Sequence, residues 1–140
     1  MISICIIDDE IHITNLLHKS LSKNSSFTVK TFNNPLTALD LMPSSKPDVV
    51  LLDIMMPQMD GIEVLSNIKK RMPETKVMMM TAYSTLDRVL ESHKLGADNY
   101  VLKPFESLQA VEKKILELVE QGGETTAVAD KEYGGNVTLF

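Results

Sequence analysis

A doubly wound α/β fold is predicted, a three-layer sandwich with five parallel strands in the order 2-1-3-4-5 between two layers of helices. Three observations predict it. Five short apolar runs recur along the 140 residues, each followed by a stretch with helical periodicity, the alternation of a βαβα chain. The third run, Asp48 to Asp53, is continuous apolar sequence between two carboxylates, the pattern of a central parallel strand covered on both faces. Apolar residues make up 44% and charged residues 24%, which suits one buried core, and the length leaves no room for a second ordinary domain.

The first run is Ile2 to Ile7, and Ile13, Leu16, Leu17, Ser20 and Leu21 then fall on one helical face. Phe27 to Phe32 alternates more, as expected nearer the sheet edge. Asn34-Pro35 supplies an N-cap and a first-turn proline for a short helix carrying Leu36, Leu39 and Met42. After the Pro57–Gly61 turn, Val64, Leu65, Ile68 and Met72 mark a third helix, which Pro73 stops. Val77 to Met80 is the fourth run, ending at Thr81-Ala82-Tyr83-Ser84. Leu86, Val89, Leu90 and His93 line the next helix, which Gly96 terminates. Tyr100 to Leu102 is the fifth run, and Leu108, Val111, Ile115, Leu118 and Val119 form the buried stripe of the last helix. Residues 1–121 therefore form the domain, and residues 122–140, rich in Gly and Thr, resemble a tail or the start of a linker.

A net charge of −5 and a pI near 5.1 argue against nucleic-acid binding by this chain alone. The single cysteine, Cys5, cannot form an intramolecular disulfide and reads as a buried inert thiol. The Met1–Ile7 run has no basic segment before it and leads straight into Asp8-Asp9-Glu10, so it is neither a signal peptide nor a membrane span. A cytoplasmic setting is expected.

Right-handed crossovers bring every strand's carboxyl end to one rim, where ligands of such sheets bind. That rim gathers Asp8, Asp9, Glu10, Asp53–Met56, Thr81–Ser84 and Lys103-Pro104. Two carboxylates 4 Å apart repel by about 4 kcal/mol at an effective dielectric of 20. Lys103 offsets part of this and a hard divalent cation the rest, Mg²⁺ or Mn²⁺ rather than zinc. The competing reading is that Asp8 and Asp9 only cap the first helix. Their convergence with Asp53 and Lys103 favours the metal. A carboxylate beside a cation and a lysine can act as a nucleophile towards phosphorus, and Thr81 can donate to a phosphoryl oxygen or simply satisfy local backbone.

Ile7-Asp8-Asp9-Glu10, the Leu52-Asp53 to Gly61 segment, Met80-Thr81-Ala82, and the Gly96 to Phe105 segment with Lys103-Pro104 together resemble the receiver domain of two-component response regulators, of flavodoxin-like fold and chemotaxis-regulator type. The resemblance implies that Asp53 accepts a phosphoryl group from the phosphohistidine of a sensor histidine kinase. It implies that Asp9, Asp53 and the backbone carbonyl of Met55 bind Mg²⁺, with Asp8 assisting through water. It further implies that Thr81, Ala82 and Lys103 contact the phosphoryl group and that the Lys103-Pro104 bond is cis. By the same resemblance Thr81 and Tyr100 are expected to form the switch, Thr81 moving towards the phosphoryl oxygens and Tyr100 turning inward, which remodels the face of helix four, strand five and helix five towards a downstream partner, an output domain or a second copy. Met55 and Tyr83 stand two residues after Asp53 and Thr81, positions that the resemblance places beside the phosphoryl group, and neither can orient a water, so slow self-dephosphorylation is expected.

The alternative is that the chain is the N-terminal receiver part of a longer regulator with a DNA-binding or enzymatic output. A phosphohydrolase of the haloacid dehalogenase type would need an acid two residues after Asp53, where Met55 stands. A flavin module would need a phosphate-cradling loop where Asp8-Asp9-Glu10 stands. Met78-Met79-Met80 reads as core. His12, His18 and His93 read as helix-surface residues, His12 near the acidic cluster. Glu112, Lys113, Lys114, Glu117 and Glu120 read as a solvated face.

Overall fold

In a computed structural model, which describes residues 1–82 and 87–121, the apolar runs form β1 (Ile2–Ile7), β2 (Phe27–Phe32), β3 (Val49–Asp53), β4 (Lys76–Ala82) and β5 (Asn99–Lys103). All pairings are parallel, in the order β2-β1-β3-β4-β5. The intervening stretches form α1 (Ile11–Leu21), α2 (Pro35–Ser45), α3 (Gly61–Arg71), α4 (Val89–Lys94) and α5 (Leu108–Gln121). Tyr83, Ser84, Leu86 and the expected tail at 122–140 lie outside the described residues.

Alternation along the strands divides the core into two halves. Cys5, Ile7, Val50, Leu52, Val77, Met79 and Tyr100 face α2, α3 and α4, where Leu39, Leu65 and Ile68 meet them. Ile4, Ile6, Val49, Leu51, Met78, Met80 and Val101 face α1 and α5, against Leu17, Leu21, Val111 and Ile115. The three consecutive methionines are fully buried and belong to both halves in turn, each contributing about 1.5–3 kcal/mol of apolar burial. No described helix is long and apolar enough to cross a membrane.

Local signals act as expected at several boundaries. Asn34 accepts the Leu36 N–H at 2.8 Å and caps α2, and Asp60, which carried no such expectation, caps α3 through the Ile62 N–H at 2.9 Å. Gly96, at φ 104°, follows the end of α4 in a conformation that suits glycine.

Three expectations need correction, and α2 departs from the usual rule for proline. The α2 helix runs on through Pro43, which has no N–H for the Leu39 carbonyl one turn earlier. The Arg71 guanidinium donates to that carbonyl instead, at 3.2 Å. The stripes of α1 and α2 are narrower than the periodicity suggests, since Leu16 and Leu36 are exposed and Thr14 and Ala38 are buried. In α4 the inward residues are Val89 and Ser92, while Leu90 and His93 face outward. The charged face of α5 is only partly solvated: Glu112 accepts from Asn24 at 3.0 Å, and the Lys114 ammonium donates to the Tyr100 carbonyl at 2.7 Å. Burial lowers the Lys114 pKa below its ordinary value, against the charges of Glu117 and Glu106.

Candidate functional site

The carboxyl ends of β1 and β3 lie side by side because these strands are neighbours, Ile7 opposite Leu52. Each hands its next acidic residue to the same rim. Asp8 is fully buried: its backbone N–H donates to Phe32, its carbonyl accepts from Asn33, and its Oδ1 accepts the Glu10 N–H at 2.9 Å. Asn33 also donates to Thr14 at 2.9 Å, which ties the β1 end to α1. Glu10 is the N-cap residue of α1 and makes no side-chain cap bond, so the acidic run does not serve as a simple helix cap. Asp8, Asp9 and Asp53 each place one carboxylate oxygen within 4.8 Å of the others.

Lys103, the last residue of β5, reaches back across the rim. Its Nζ lies 2.8 Å from Asp8 Oδ2, 3.3 Å from Glu10 Oε1 and 3.4 Å from Asp53 Oδ1. The peptide bond that follows, Lys103–Pro104, is cis. Burial by itself would lower the Lys103 pKa, but the Asp8 hydrogen bond and the charges of Asp53, Asp8 and Glu10 outweigh it and hold the ammonium above its ordinary value. Asp53 is the strained member. Burial first, and then the Asp8 charge, push its carboxyl up to about 7 against the pull of Lys103, and Asp9 adds to the rise. An all-oxygen donor set with an excess of negative charge suits a hard divalent cation, so the residues fit one.

The β3–α3 connection is packed tightly against this carboxylate. Gly61 donates to the Ile54 carbonyl at 2.8 Å, and a Cβ on it would stand 2.2 Å from the Asp53 carbonyl oxygen. Met55, two residues beyond Asp53, is 57% exposed, and its sulfur lies 3.8 Å from an Arg88 guanidinium nitrogen. Thr81 and Ala82 end β4 opposite Leu102 and Lys103. The buried Thr81 hydroxyl donates to the Ala82 carbonyl at 3.3 Å. Tyr100 is already turned inward: its hydroxyl donates to the Val89 carbonyl at 3.2 Å and lies 3.2 Å from Ser92 Oγ. Tyr83 lies outside the described residues.

Comparison with known proteins decides what kind of rim this is. Residues 4–116 match the response regulator receiver domain family. The chain belongs to that family. It is 40% identical over 117 residues to sporulation initiation phosphotransferase F of Bacillus subtilis, covering 82% of this chain and 94% of that protein. It is 37% identical over 117 residues to the chemotaxis protein CheY of Listeria monocytogenes, covering 81% of this chain and 98% of that one. It is 39% identical over 119 residues to the DNA-binding transcriptional regulator NtrC of Escherichia coli, covering 83% of this chain but only 25% of that protein, so the chain spans about a quarter of this relative. Among solved structures, a response regulator receiver domain protein of Clostridium thermocellum superposes with a TM-score of 0.80 at 28% identity, over 86% of this chain and 96% of that one. The receiver domain of NtrX from Brucella abortus gives 0.76 at 27%, over 84% and 98%.

The receiver's rim also holds residues to which the motifs gave no role of their own. Asn33 fixes the Asp8 backbone, Glu10 shares Lys103, and Asp60 pairs with Arg88 across the rim. Glu10 and Asp60 stand within those motifs, and Asp60 also has a capping position, an acidic residue just before the first apolar residues of α3. His12, His18 and His93 are all exposed, with His12 Nε2 3.9 Å from Glu10.

Proposed function

We propose that this receiver takes a phosphoryl group from the phosphohistidine of a sensor histidine kinase onto Asp53 and, by doing so, changes its α4–β5–α5 face for a downstream partner or output domain. The observation that supports this reading best is one ammonium, on Lys103, shared by the buried Asp8 and by Asp53 on a rim that also presents Asp9. In the transfer, an Asp53 carboxylate oxygen bonds to phosphorus as the bond from phosphorus to the imidazole nitrogen breaks, and the imidazole leaves with a solvent proton. Asp53 must be ionised to attack, and Lys103 favours that form. Asp9, Asp53 and the Met55 backbone carbonyl would hold Mg²⁺, or Mn²⁺ in its place, with Asp8 assisting through water. The cation supplies charge neutralisation for the carboxylates and the incoming phosphoryl oxygens.

After transfer, Lys103 pairs with the new phosphoryl oxygens, and Thr81 exchanges its local bond to Ala82 for one to the phosphoryl group. Tyr100, held to Val89 and Ser92, carries that movement to α4. A few kcal/mol of preference is enough to move such a two-state element. The apolar Met55 cannot orient an attacking water, which supports a phosphoryl lifetime longer than seconds. We place the chain in the cytoplasm beside its kinase, with the receiver over residues 1–121 and a tail or linker over 122–140. It has no enzymatic activity besides transfer to and from itself, and no nucleic-acid contact of its own. The same face offers a route to a phosphorylation-dependent homodimer. The quarter-length match to NtrC favours a second reading, in which this receiver is the N-terminal part of a longer regulator.

The test is phosphorylation of the purified chain with acetyl phosphate or phosphoramidate and Mg²⁺, read by intact mass. A single adduct is expected, absent in Asp53→Ala and in EDTA. No adduct on a folded, Mg²⁺-binding protein would overturn the assignment of Asp53 and the switch built on it.

A further inference from the structure

Arg88, the residue before α4, has no part in the reaction just described, yet it reaches the segment that leaves Asp53. Its guanidinium pairs with Asp60 Oδ2, and a second nitrogen lies 3.8 Å from Met55 Sδ. Asp60 is itself fixed, because its Oδ1 caps α3 through the Ile62 N–H at 2.9 Å. Gly61 anchors the same end of the segment to the Ile54 carbonyl at 2.8 Å. Arg88 cannot drift with the segment either: the carbonyl of the next residue, Val89, accepts the Tyr100 hydroxyl at 3.2 Å from the core side. Two anchored elements are thus joined over Met55, two residues beyond Asp53, by one cation.

We infer that Arg88 is a positioning residue which, by clasping Asp60 and lying on Met55, holds that side chain at the α4 side of Asp53 and restrains water from reaching an aspartyl phosphate there. The inference rests on the proposed function of Asp53. In the loss reaction, a water oxygen bonds to phosphorus, the bond from phosphorus to the Asp53 oxygen breaks, and the water's proton leaves with inorganic phosphate or to solvent. Neither Met55 nor a guanidinium paired to a carboxylate can serve as base for that water. Their contribution is exclusion, which depends on Met55 being held in place.

The experiment phosphorylates wild type, Arg88→Ala, Arg88→Lys, Asp60→Asn and the Arg88→Ala/Asp60→Asn double variant with acetyl phosphate and Mg²⁺, removes the donor, and follows the adduct by intact mass. Asn caps a helix about as well as Asp, so Asp60→Asn breaks the clasp while keeping the α3 cap and decides the matter if Arg88→Ala does not fold. The adduct on Arg88→Ala and on Asp60→Asn is expected to decay about three- to tenfold faster than on wild type. Arg88→Lys is expected to restore most of the lifetime, and the double variant to decay no faster than the faster single one. A lower melting temperature with an unchanged lifetime would mean a structural ion pair only and would overturn the clasp. No adduct on wild type would overturn the proposed function as well, whereas adducts that decay alike in all variants would overturn the clasp alone.

Discussion

Asp53 is where burial and function oppose each other most strongly. A carboxyl raised from 3.8 to about 7 binds its proton more tightly folded than unfolded. Its contribution to stability is therefore fully present below about pH 4 and is lost as the pH rises through about 7. Asp53→Asn removes a charge the fold does not want. In metal-free buffer with EDTA we expect the Asn variant to be more stable than wild type by about 1–3 kcal/mol at pH 8. The gap should narrow to nothing towards pH 4, as measured by urea unfolding across that range. A wild type as stable as the variant at pH 8 would mean that Lys103 fully compensates the carboxylate. Cys5 illustrates the opposite case: burial pushes its thiol up to about 12, which leaves it inert inside β1.

At the scale of elements, the start of α3 and the end of β3 are built as one unit. Gly61 is required there by contact rather than by its backbone angles. A methyl group at this position would have to displace the Asp53 carbonyl and the Ile54 backbone, at 2.2 and 2.7 Å, and backbone does not yield as a flexible side chain does. Gly61→Ala is expected to cost about 2–3 kcal/mol in chemical denaturation and to slow labelling of Asp53 by acetyl phosphate, since the reacting carboxylate moves with its own main chain. Normal labelling in a destabilised Gly61→Ala protein would separate the two effects and refute the second. The helix α4 shows why period alone misplaced a face. With six residues it has less than two turns, and a Tyr100 hydroxyl in need of partners selects Val89 and Ser92 as its inner side.

Across the whole molecule the carboxylates outnumber the cations, and the rim concentrates that imbalance at one end of the sheet. A divalent cation that binds only the folded rim must stabilise the chain by mass action, about 2.7 kcal/mol at one hundred times its dissociation constant. Mg²⁺ is therefore expected to raise the melting temperature at pH 7.5 and EDTA to reverse the rise. The shift should shrink at pH 5, where Asp53 holds its proton, and in Asp9→Asn. An equal shift in Asp9→Asn would place the cation elsewhere.

The strand order, the two helix layers and the acidic rim were legible because each rests on a local rule: apolar runs at strand length, helical stripes, Asn34 before its helix, and Gly96 after one. The four motifs were legible because they stand at strand ends, where the crossover rule brings them together without knowledge of any contact. Tertiary structure alone decided how Lys103 is shared among Asp8, Glu10 and Asp53, that Tyr100 is turned in beneath Val89, that Arg71 completes α2 past Pro43, and that Arg88 reaches Asp60 and Met55. These are pairings of long side chains between residues far apart in the chain. Sequence period specifies which face a residue lies on, whereas the partner of a flexible charged group depends on which other charges the finished sheet brings within its reach.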